Sequence, residues 1–98
     1  MSLDSTAAVQ AAARPRLGGA MRLQWDPRRQ QHVLLAPEQV VVLNATGAAI
    51  VALCDGQRNV GDIAATLGAR FQRPVEADVR TFLGRLAARG LVELTRDP

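Results

Sequence analysis

The sequence predicts one α+β domain, winged-helix-like, with an N-terminal three-stranded antiparallel sheet packed on a three-helix bundle. Three observations predict it. The chain has 98 residues, enough for one hydrophobic core and no second. Up to Leu43 the apolar residues come in short β-type runs between turn signals. After Asn44 they recur at helical spacing.

Residues 1–20 are Ala-rich and end in Arg14-Pro15-Arg16 and Gly18-Gly19. They read as a flexible tail, ahead of a domain over 21–94 and a C-terminal tail over 95–98. Met21 to Trp25 alternates apolar and polar, the two-residue period of a half-buried strand. Asp26-Pro27 starts a turn, and His32 to Leu35 resumes as strand. Pro37 stops the ladder because it has no N–H to donate. Val40 to Leu43 is then a third strand, so uniformly apolar that it reads as buried on both faces.

Asn44 is a suitable N-cap for a first helix carrying Ala49, Ile50, Leu53 and Cys54, ended by Asp55-Gly56. Asn59 caps a second helix, with Asp62 three residues on, a variant of the capping box. Its apolar face is Val60, Ile63, Ala64, Leu67 and Phe71. A third helix is expected from Val75 to Arg89, with Val75, Val79, Phe82, Leu83 and Leu86 as its stripe and Gly90 as its stop. Arg85 and Arg89 fall on its solvent face. Leu91 to Leu94 is a final short strand or extended tail.

The composition bears on function. The aromatic content is 3%, so the core must be aliphatic. The net charge is +3, carried by Arg alone among the cations. There is one His, one Cys and no Tyr. No spacing offers the three or four ligands of a metal site, so no metal or cofactor is expected. A thiol inside an apolar helix behaves as a small hydrophobe, which argues against a Cys54–His32 nucleophile pair and against an enzyme. One Cys cannot close an internal disulfide, and the start lacks a secretory signal pattern. No apolar run reaches transmembrane length. The expectation is a cytoplasmic, soluble protein with no membrane partner.

The residues also carry a resemblance. Leu34-Leu35 with Pro37-Glu38, Leu43-Asn44 with Thr46-Gly47, Leu53 to Gly56 with Arg58, and Asp78-Val79 with Phe82-Leu83 and Leu86 resemble the PqqD family in order. Arg22-Leu23 with Trp25-Asp26 resembles its opening hairpin. The likeness runs from about Arg22 to Val92. Gln39 departs from the usual Gly, Asn59 from the commoner Thr, and Leu91 from an aromatic. The resemblance implies a non-catalytic module in pyrroloquinoline quinone biosynthesis. Such a module holds the leader of the precursor peptide PqqA and presents it to PqqE, a radical S-adenosylmethionine enzyme. The leader adds a strand to the third strand and rests against the third helix.

The residues can be read the same way. An edge strand without charge invites strand addition, so Gln39, Val40, Val41, Val42 and Leu43 form one side of the expected peptide site. Arg80, Leu83, Gly84 and Ala87 follow a helical stripe and form the other. Gly84 costs about 1 kcal/mol relative to Ala in a helix interior, which asks for close approach of another chain or tight internal packing. Two other readings stay open. A winged helix can bind DNA through its third helix, although Glu76 and Asp78 at that helix start disfavour contact with nucleic acid phosphates. Val40 to Leu43 can also pair with its own copy in a homodimer.

Overall fold

The computed structural model describes residues 9–95. In chain order it contains β1 (Arg14–Leu17), β2 (Arg22–Asp26), β3 (Gln31–Ala36), β4 (Gln39–Leu43), α1 (Ala45–Ala52), α2 (Val60–Phe71), α3 (Glu76–Ala88) and β5 (Val92–Thr95). The strands form two antiparallel sheets, one of order β2-β3-β4 and one of β1-β5. The expected α+β arrangement is therefore present.

The β2-β3-β4 sheet forms as the alternation predicts. Leu23 stands opposite Leu34, and Leu34 opposite Val41. This face meets the helices, and Leu34 and Leu43 are buried in the core. The other face carries Val33, Leu35, Val40 and Val42, none of which joins the core cluster. Here the expectation for β4 needs correcting. Val40 is 53% exposed and Val42 45%, so β4 is buried on one face only. A run of four apolar β-formers has no alternation to reveal this.

The helices also follow local chemistry. Asn44 Oδ1 accepts from the Gly47 N–H at 2.7 Å. Asn59 and Asp62 complete a reciprocal capping box, with bonds of 2.7 and 3.1 Å. Val60, Ile63 and Leu67 of α2 are buried against Val79, Leu83 and Leu86 of α3 in one aliphatic core. After α3, Gly90 takes φ +74 and lets the Leu91 N–H return to the Leu86 carbonyl at 2.9 Å. Among the described residues no charged side chain is buried, and no helix is long and apolar enough to cross a membrane.

The flexible tail expected over residues 1–20 is corrected over its second half; residues 1–8, and 96–98 at the other end, lie outside the described residues. β1 pairs with β5 from Arg14 opposite Thr95 to Leu17 opposite Val92. Val9, Ala13 and Pro15 are buried. The segment also meets a need at the start of α2, where the first amides have no partner within the helix. The Val60 N–H donates to the Ala13 carbonyl at 2.8 Å, and Gly61 to Ala11 at 3.0 Å. Arg16 pairs with Glu93 at 2.8 Å. The domain thus includes residues that the Ala-rich composition assigns to a tail.

Candidate functional site

The candidate site is the outer margin of β4. Within the described residues β4 pairs with β3 alone. Its register determines which backbone groups are free. Pro37 and Glu38 connect Ala36 to its partner Gln39, so that pair closes the hairpin by reciprocal bonds. Hydrogen-bonded and non-bonded pairs then alternate along the ladder. Gln39, Val41 and Leu43 direct their N–H and C=O toward β3. Val40 and Val42 direct theirs outward.

That margin has no charged side chain, and two half-exposed valines flank it. Proteins usually blunt such an edge with charge or Pro. Pro37 lies outside the strand, in the turn. The edge is therefore open to an added strand through the Val40 and Val42 amides and carbonyls.

The nine site residues expected from the sequence divide in two. Gln39 begins β4, and its Oε1 accepts from Nη2 of Arg89, the residue that caps the C-terminal end of α3. Val41 is half-buried against the core, and Leu43 is fully inside it. On α3, Arg80 donates to Glu76 at 2.9 Å, and its Nε is buried without a partner. Ala87 is half-buried. Leu83 is a core residue, fully shielded, and Gly84 is buried beside it. Leu43, Leu83 and Gly84 are thus buried in this structure, where they support the walls of the candidate site and present no surface. Leu83 lies four residues from Val79 on the buried stripe, which outweighs its place in the flanking one.

Arg89 also lies at the candidate site, through its bond to Gln39. The sequence places it on the solvent face, and it is exposed, yet it joins the end of α3 to the start of β4. No local signal reveals a bond between residues 50 positions apart.

The titratable groups offer little chemistry. Burial, with a smaller contribution from the Asp55 charge, pushes the Cys54 thiol up to about 12. Its Sγ donates to the Ile50 carbonyl at 3.2 Å. The thiol therefore stays neutral and unreactive at ordinary pH. The His32 ring packs edge-on against Trp25, with centroids 5.0 Å apart. The backbone amides of Arg58 and Gln57 hold Asp55 below the usual carboxylate value. A hydrogen bond from Arg29 does the same for Asp26.

Fold and site together define a winged-helix-like α+β domain whose uncharged β4 edge, among the described residues, pairs with no further strand and lies beside the end of the third helix. Residues 31–92 match the model of the family described as coenzyme PQQ synthesis protein D (PqqD). The chain belongs to that family. It is 42% identical over 84 residues to the PqqA binding protein of Rhizobium meliloti (strain 1021), covering 83% of this chain and 86% of the relative. It is likewise 42% identical over 82 residues to the PqqA binding protein of Azotobacter vinelandii, covering 82% and 89%. The solution structure of the PqqD portion of Methylobacterium extorquens PqqCD superposes with a TM-score of 0.77 at 34% identity, over 91% of this chain and 98% of that one. That portion is described as a functional, stand-alone recognition element for a ribosomally synthesized and post-translationally modified peptide.

Proposed function

We propose that this chain is a peptide chaperone of pyrroloquinoline quinone biosynthesis. It binds the precursor peptide PqqA by strand addition to β4 and presents it to the radical S-adenosylmethionine enzyme PqqE in the cytoplasm. The observation that carries this reading is the outer margin of β4, where Val40 and Val42 turn their backbone groups away from β3 and no side chain is charged. Relatives matched over more than four-fifths of this chain are named for binding PqqA, which supports the choice of peptide. Each main-chain bond to the guest contributes about 0.5–1.5 kcal/mol net. Gln39, Val40, Val41 and Val42 supply one side of the site, and Arg80 and Ala87 of α3 the other, with Arg89 closing one end.

The DNA-binding alternative has less support. The start of α3 presents Glu76, held to Arg80, and Asp78, held to Arg73 at 3.2 Å. Carboxylates there would face phosphates. The catalytic role in this reading belongs to PqqE.

Calorimetry tests the proposal. PqqA titrated into the protein is expected to bind with micromolar or tighter affinity, and adding PqqE to the loaded protein is expected to give a second binding event. No heat of binding with PqqA alone would refute the peptide assignment. A response to PqqA but none to PqqE would remove the presentation step.

A further inference from the structure

A second concave surface lies between the β2-β3 hairpin and α1. It is a half-open trough of about 440 Å³, with Leu23 and Trp25 of β2 on one side and Ala48, Ala49 and Ala52 of α1 on the other. We propose that this trough is a second docking site. It takes a large apolar side chain flanked by carboxylates, carried on an acidic segment of a partner protein.

Three observations support this. First, Trp25 is 46% exposed, one of the few large apolar side chains left open, and His32 packs edge-on against it. Second, α1 carries no charged residue, and a helix apolar all round is normally buried on every side. Here Ala45 and Ala52 remain exposed. The alanines keep the trough empty where larger side chains would fill it. Third, among the described residues the Arg70 side chain, which stands in the lining, has no ion-pair or hydrogen-bond partner, and no acidic residue lines the trough. An apolar recess with one unpaired cation is complementary to an apolar anchor beside a carboxylate. The half-open form fits an anchor on a protein surface better than a small ligand, whose sites enclose most of its area. The lining reaches Leu43 at the end of β4 but includes neither Val40 nor Val42, so the trough leaves the outward backbone groups of the β4 edge free for the peptide.

Trp25 is the single Trp, and the chain has no Tyr, so its emission reports on this site alone. The full-length protein is titrated with the probe acetyl-Glu-Leu-Phe-Asp-amide and with its neutral counterpart acetyl-Gln-Leu-Phe-Asn-amide. The acidic probe is expected to give a saturable blue shift with a half-point in the millimolar range, as its small size dictates. The neutral probe binds ~3-fold more weakly, and Arg70→Gln brings the acidic probe down to that level. Ala49→Phe fills the trough and removes both responses. Ala52→Leu, at an exposed position, does the same if Ala49→Phe does not fold. Val42→Pro, directed at the β4 edge, leaves the response unchanged, which separates this site from the peptide site. No saturable shift, equal binding of the two probes, or an unaltered response in the filled variants overturns the proposal.

Discussion

The two margins of the β2-β3-β4 sheet share one geometry and differ in chemistry. Each is an edge strand whose alternate residues turn their backbone groups outward: Leu23 and Trp25 on β2, Val40 and Val42 on β4. Along β2 the outer-face side chains are Arg22, Gln24 and Asp26. Asp26 is fixed by the Arg28 amide at 2.9 Å and by the Arg29 guanidinium at 2.7 Å. Along β4 the corresponding side chains are Val40 and Val42. Charge guards one edge, while the other offers only apolar surface and unpaired backbone. Exposure of an edge is thus insufficient to mark a site, and its chemistry decides which margin accepts a strand.

The largest expected effect tests whether binding belongs to the strand edge and not to buried helix positions. Leu83→Ala should cost about 2–5 kcal/mol of stability, measured by denaturant unfolding, and leave the affinity of the folded fraction for PqqA unchanged. A direct loss of affinity would return Leu83 to the binding surface. The next test uses two neighbours on β4. Val41→Pro removes an amide that bonds Leu34 of β3 and should destabilise the sheet by about 1–3 kcal/mol. Val42→Pro removes an outward amide, should keep the fold by circular dichroism, and should weaken PqqA by ~10-fold. Equal effects on folding would place both amides on the same side.

A smaller effect comes from giving β4 the chemistry of β2. Val40→Lys puts a charge on the outer face beside the vacant edge and should lower PqqA affinity by ~3-fold, read by calorimetry. An unchanged affinity would break the link between charge and vacancy. The smallest concerns pH. Arg29 lowers the folded-state pKa of Asp26, so the contact stabilises the fold above the ordinary carboxylate value of 3.8. That contribution is lost as pH falls through the lower folded value. The melting temperature of Asp26→Asn should therefore fall less steeply than that of the unaltered protein below the ordinary value, and match its slope near neutrality.

Much of this architecture was legible because local chemistry decides it. Asp26-Pro27 and Pro37-Glu38 marked the turns, Asn44 and Asn59 the helix starts, and Gly90 the last stop. The capping box at Asn59 and Asp62 was readable from two residues. β1 was not, because Pro15 argues against a strand and its partner β5 lies at the far end of the chain. The exposed face of β4 was hidden by its uniform valines. The direction of each β4 amide depends on how Pro37-Glu38 closes the hairpin, a matter of register and not of residue type. Arg89 found Gln39 only through the folded arrangement of α3 against the sheet.

Amide hydrogen exchange tests the central claim most directly. In the free protein the Val40 and Val42 amides should exchange quickly while Val41 is protected, and added PqqA should slow Val40 and Val42 selectively. Protection of Val40 and Val42 before any peptide is added, or protection by PqqA that maps to α2 or β1 instead, would contradict the account.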